Sequence, residues 1–260
     1  MNIDTVQGSE NGGWKMNNSA VLMEKDENIA ILTLNRPDAL NTFNVEIRDQ
    51  LYHYVHIVNE DPSVDAIVVC GAGRGFCAGA DLTEFGTTST VIEKKRIRLQ
   101  HDLWEDIRRM QKPIAAAMHG FAIGSGLEMA MLFDFRFASP GTKLSLPEAQ
   151  IGMLPAAGGT QSLPRLVKQG QAHDLAISGR RITAEEGVGI GMISGIIEKD
   201  MLVEQTIAYM KKIVTQYPQN ARWIKTLVAT SKDMPEADGI AREGVLFKRS
   251  WQVKNQEVSE

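Results

Sequence analysis

Residues 113–138 read PIAAAMHGFAIGSGLEMAMLFDFRFA, and this stretch decides the fold. After Pro113 come five apolar residues with no charge among them. That pattern suits a strand buried on both faces. Gly120, Gly124 and Gly126 then loosen the chain into a loop. A short helix is expected through Glu128 to Leu132, and residues 133–138 return as a strand. Strand, loop, helix and strand at this spacing mean an α/β core.

The same grammar extends outward. Residues 66–70 (AIVVC) form a second apolar run and end in the glycine turn 71–75 (GAGRG). Residues 29–34 (IAILTL) read as a strand stopped by Asn35-Arg36-Pro37-Asp38. Between them Ile47, Leu51, Val55 and Val58 recur at helical spacing, with Asn44 as the cap and Asp61-Pro62 as the stop. A longer helical stretch is expected over residues 90–111. Beyond Gly158 the pattern turns mostly helical. Thr183 is expected to cap one helix, with Glu186 closing a capping box. The chain therefore divides into residues 1–18 as a disordered tail, residues 19–199 as the core and residues 200–260 as a helical assembly region.

Twenty-eight basic and thirty-two acidic residues leave a net charge of −4. Such a surface does not draw in phosphate backbones, so nucleic acid is not an expected partner. No apolar run is long enough to span a membrane. The N-terminus lacks the features of a secretory or organellar leader. Cys70 and Cys77 read as two reduced thiols, and together with the missing leader they point to the cytoplasm. No histidine or cysteine spacing indicates a metal site. His119 precedes the glycine loop, where a packing or backbone-bonding role is expected.

The glycine turn at 71–75 lacks the G-x-G-x-x-G spacing of a dinucleotide cradle. The segment Gly124-Ser125-Gly126-Leu127-Glu128 admits two readings. It is a tight packing turn, or it is a helix start whose free N–H groups receive a developing oxyanion. Glu128 and Glu148 both have apolar neighbours in sequence, and burial would raise their pKa values toward the range useful for proton transfer. Each also has a bland reading. Glu128 suits a first-turn dipole partner, and Glu148 suits a helix-start charge.

Five motifs break this tie: residues 35–41 (NRPDALN), 75–82 (GFCAGADL), 120–128 (GFAIGSGLE), 147–161 (PEAQIGMLPAAGGTQ) and 178–186 (SGRRITAEE). In order and spacing they resemble the enoyl-CoA hydratase/isomerase, or crotonase, superfamily. The resemblance implies a spiral of ββα turns building two nearly perpendicular sheets, followed by C-terminal helices that trimerise, often as paired trimers in a hexamer. It implies an acyl-CoA substrate, with coenzyme A arriving as part of that substrate and no separate cofactor. By position, the backbone N–H groups of Ala80 and Ser125 would hold the thioester carbonyl. Ser125 stands where relatives usually carry glycine. Residues 78–82 (Ala78, Ala80, Asp81 and Leu82 among them) match the part that wraps the adenine end, and Ala39 and Leu40 the part beside the pantetheine arm. Thr83 stands where many relatives carry lysine.

The resemblance assigns Glu128 to activating water and Glu148 to protonating Cα. Isomerases of the superfamily often keep only the second glutamate, so the pair favours hydration of a 2-enoyl-CoA to a 3-hydroxyacyl-CoA. The alternatives are double-bond isomerisation or hydration of a cyclic dienoyl thioester in the same site, and a non-catalytic acyl-CoA-binding scaffold.

Overall fold

The computed structural model describes residues 19–84 and 102–257, together with the two-residue strands β1 (Gln7–Gly8) and β2 (Trp14–Lys15), which pair antiparallel. The rest of the expected N-terminal tail lies outside the described residues. So does most of the expected helix over 90–111, of which α2 (Leu103–Arg109) is described.

Six strands form the main sheet. A hairpin of β3 (Val21–Asp26) and β4 (Ile29–Leu34) opens it, and β5 (Ala66–Gly71), β6 (Ile114–Met118), β8 (Phe135–Ala138) and β11 (Gly195–Ile196) follow in parallel. A second sheet holds β7 (Phe121–Ile123), β9 (Lys143–Ser145) and β10 (Ile182–Thr183). Isolated parallel bridges extend this second layer, Cys77 to Ala122 and Phe43 to Ala80. Each turn of chain thus lays one strand in the main sheet and then one segment in the smaller layer. The sequence pairs are β4 with Phe43, β5 with residues 77–80, β6 with β7, and β8 with β9. This is the expected spiral of ββα turns.

The apolar runs explain the main sheet. In β5, Ala66, Val68 and Cys70 face one way, and Ile67 and Val69 the other. Both faces are covered, so no polar alternation survives. On one face lies α1 (Val45–Glu60), which buries Ile47, Leu51, Val55 and Val58 and is capped by Asn44, whose side chain accepts the Ile47 N–H. The other face packs on α7 (Leu202–Val214) through Leu202, Ile207, Met210 and Val214. Of the helical region beyond residue 200, α7 therefore belongs to the sheet's own core. The last helices, α8 (Pro218–Thr230) and α9 (Glu236–Glu257), pack on one another. Ion pairs tether α8 to the core, Arg222 with Asp65 at 2.9 Å and Lys225 with Asp134 at 2.8 Å. Large apolar side chains remain exposed on both, including Ile224, Val228, Ile240, Phe247 and Trp251.

Two expectations need correction, and one strand goes unread. The segment 120–126 is not all loop, because Phe121–Ile123 pairs with β9. The strand Val21–Asp26 escapes notice in the sequence because its second half, Glu24-Lys25-Asp26, is charged. Thr183 caps α6 (Ala184–Gly189) by accepting the Glu186 N–H, but the Glu186 carboxylate pairs with Arg180 at 2.7 Å instead of closing the box. Among the described residues no helix is long and apolar enough to cross a membrane.

Candidate active site

Two glycines bring the site together. Gly79 and Gly124 both adopt positive φ, +105° and +50°. A Cβ built on Gly124 would lie 3.7 Å from the Gly79 α-carbon, and one on Gly79 would lie 3.2 Å from the Ile123 carbonyl oxygen. The backbone preceding Ala80 and the backbone preceding Ser125 are therefore in contact. Residues 45 apart in neighbouring turns of the chain are brought together at this junction.

The direction of the two N–H groups follows from their pairing. Phe43 donates to the Gly79 carbonyl at 2.7 Å and accepts from the Asp81 N–H at 3.0 Å. In extended backbone successive N–H groups point to opposite sides, so that of Ala80 faces away from Phe43. Ser125 is the first residue of α3 (Ser125–Met131), and a first-turn N–H has no acceptor within its own helix. Among the described residues neither N–H is bonded to another protein group. The Gly124 N–H donates to the Ser145 carbonyl at 2.9 Å, which sets the start of α3 against β9.

Glu128 lies one turn along α3 and is 1% exposed. Its Oε1 accepts the N–H groups of Ala157 at 2.9 Å and Gly159 at 2.8 Å. This is more than a first-turn dipole partner would need. A loop from a later part of the chain is folded to hold one carboxyl oxygen in place. A Cβ on Gly159 would sit 2.9 Å from that oxygen, so glycine there permits the approach.

Glu148 opens the 3-10 turn Glu148–Ile151 behind Pro147. Its Oε1 lies 2.7 Å from where a Gly124 Cβ would be, so its carboxyl group packs on the Gly79–Gly124 junction. Its Oε2 is buried with no hydrogen-bond partner. Burial pushes its pKa above the usual 4.5. The four positions Ala80, Ser125, Glu128 and Glu148 thus converge, although they come from three separate motifs.

The coenzyme-matching residues also gather. Ala39 ends the 3-10 turn Pro37–Ala39, and Leu40 follows at φ +53°, with its carbonyl accepting the Ala78 N–H at 3.1 Å. Asn41, fully buried, ties together the loops that follow β4 and β5. It accepts the Arg36 N–H and donates to the Ala72 and Gly75 carbonyls. The Asp81 carboxylate accepts from the Thr83 hydroxyl at 2.6 Å and pairs with Arg36 at 3.1 Å, and these contacts hold its pKa below the usual value. The Thr83 hydroxyl is therefore already engaged, whereas Leu82 is 59% exposed beside it. His119 bonds the Gly73 carbonyl at 2.9 Å, the backbone role expected of it. Cys70 and Cys77 are free and buried, and burial pushes the Cys77 thiol up to about 11.

Sequence reading missed the donors on Ala157 and Gly159. The Gly158-Gly159 pair was the available signal, but only folding shows which carboxylate it serves. Reading also missed a cavity of about 270 Å³ between α2 and residues 155–160, lined by Trp104 and Arg108 among others. Among the described residues no group of three or more His, Cys, Asp or Glu side chains is placed to hold a metal.

Comparison with known proteins shows the family. The family model described as "Enoyl-CoA hydratase/isomerase" matches residues 24–259. The chain is 31% identical to the short-chain-enoyl-CoA hydratase of Clostridium acetobutylicum over 237 residues, 91% of each chain. It is 35% identical to the mitochondrial enoyl-CoA hydratase of Pongo abelii over 223 residues, 86% of this chain and 76% of that one. The crystal structure of an enoyl-CoA hydratase subunit from Geobacillus kaustophilus superposes with a TM-score of 0.86 at 28% identity, covering 92% of each chain.

Proposed function

The chain belongs to the enoyl-CoA hydratase/isomerase family, and on that premise we propose that it adds water across the α,β double bond of a 2-enoyl-CoA, giving a 3-hydroxyacyl-CoA. The observation that carries this reading is the Gly79–Gly124 junction: the unspent N–H groups of Ala80 and Ser125 follow its two glycines, the Glu148 carboxyl group packs on it, and Glu128 lies one helical turn along, held by Ala157 and Gly159.

The thioester carbonyl oxygen accepts from the Ala80 and Ser125 N–H groups. Their fixed dipoles stabilise the negative charge that moves onto this oxygen as C3 is attacked, and removing one such donor typically costs about 10²–10³ in rate. Glu128, held by the Ala157 and Gly159 N–H groups, takes a proton from the water whose oxygen bonds to C3. Glu148 gives its proton to C2. The hydroxyl thus arrives at C3 and a hydrogen at C2, with the thioester intact. Glu128 ends protonated and Glu148 ionised, and exchange with solvent resets the pair. The raised pKa of Glu148 supports its role as the acid.

Coenzyme A enters as part of the substrate, along the surface formed by Ala39, Leu40 and residues 78–83. The exposed apolar faces of α8 and α9 support assembly into a trimer or a pair of trimers.

Two substrates test the reading. With crotonyl-CoA, loss of the enoyl-thioester ultraviolet absorbance and a product heavier by one water are expected. With a 3-enoyl-CoA, direct conversion to the 2-enoyl isomer is expected to be much slower. Rapid isomerisation without hydration of crotonyl-CoA contradicts the proposal.

A further inference from the structure

The cavity between α2 and residues 155–160 is not used by the chemistry above. It measures about 270 Å³, near the lower end for ligand pockets, and so suits a short acyl tail better than a long chain. Its wall is the loop that holds Glu128. Gly158 lies between the two donor residues Ala157 and Gly159 and lines the cavity. The cavity thus lies directly against the loop beside which the hydratase reading puts C3.

Its chemistry is not that of an alkyl slot. Trp104 and Pro155 are part of the lining, but almost none of its exposed surface is apolar, and Asp102, Glu105, Arg108 and Thr160 share it. The two acids are already committed. Asp102 caps α2 by accepting the Glu105 N–H at 3.2 Å, and Glu105 pairs with Arg109 at 2.7 Å. Arg108 comes only within 3.9 Å of Glu105, and among the described residues its guanidinium donates no hydrogen bond. The guanidinium instead lies over Gly158, where a Cβ would be 2.6 Å from Nη2. A planar fork of unspent donors matches a carboxylate, which takes two parallel hydrogen bonds from it. An alkyl tail would cover these donors and return nothing.

We propose that this cavity receives the far end of a short 2-enoyl chain that terminates in a carboxylate, with Arg108 as the residue that selects it. The assignment rests on the hydratase reading. Arg108 keeps 44% of its side-chain surface in solvent, so the selection is moderate.

The test compares kcat/KM for trans-2-hexenoyl-CoA and its six-carbon analogue ending in a carboxylate, with crotonyl-CoA as the control. Wild type is expected to prefer the carboxylate by about tenfold, and the preference should shrink with added salt. Arg108→Gln is expected to bring the ratio to about one, and Arg108→Lys to keep part of it. Equal use of the two substrates, or preference for the alkyl chain, overturns the assignment while hydration of crotonyl-CoA leaves the hydratase reading intact. A carboxylate preference that survives Arg108→Gln removes Arg108 from the role. If none of the three thioesters is hydrated, both readings fall.

Discussion

Glu148 packs one carboxyl oxygen against the backbone of Gly124 and leaves the other buried without a partner, a costly arrangement for a structural residue. Burial raises its pKa in the fold, so the charged form is disfavoured there. The sign follows. Its effect on stability is most favourable below the unfolded value near 4.5 and worsens as pH rises through the higher folded value. Glu148→Gln is therefore expected to stabilise the protein at pH 7 by about 1 kcal/mol, with the gain vanishing toward pH 4. Urea melts at the two pH values check this. The same group must be protonated to act as the acid, so wild-type kcat/KM for hydration should fall as pH rises through its raised pKa. Gly159 tests the other carboxylate. Gly159→Ala places a Cβ 2.9 Å from Glu128 Oε1 and is expected to cut kcat about 10²-fold, with KM changed far less, in steady-state assays.

At the level of elements, caps and buried strands do what the sequence indicates. Asn44 caps α1, so Asn44→Ala should cost about 1 kcal/mol in thermal or urea melts. The strands β4, β5 and β6 are legible because each is a local apolar run largely buried on both faces, whereas β8 carries the buried Arg136 among its apolar residues. The smaller layer is not legible. β7 and β9 are three residues each, and their pairing through Ala122 and Leu144 is made by tertiary folding, not by any periodicity. The site is legible to a similar degree. Glu128 and Glu148 stand out as carboxylates in apolar segments, and motif order assigns Ala80 and Ser125. The contact of Gly79 with Gly124, and the grip of Ala157 and Gly159 on Glu128, depend on close approaches between distant segments that no local pattern encodes.

Across the whole molecule, the spiral brings one segment of each successive turn to the same edge, and the site forms where residues 79–80, 124–128, 148 and 157–159 meet. The helices α8 and α9 stand beyond it with Ile224, Val228, Ile240, Phe247 and Trp251 exposed, an apolar surface a monomer does not need. Light scattering is expected to give a multiple of three of the 28.7 kDa chain, and Phe247→Glu with Trp251→Glu to lower that mass. The central claim is that two carboxyl groups, Glu128 held by the Ala157 and Gly159 N–H groups and Glu148 packed on Gly124, add water to an enoyl thioester. Its most direct test is the hydration rate of crotonyl-CoA for wild type, Glu128→Gln and Glu148→Gln, with circular dichroism to show that all three are folded. The account predicts rapid hydration by wild type and a loss of about 10²–10⁴ in each variant. A folded variant of either kind that hydrates at the wild-type rate would contradict it.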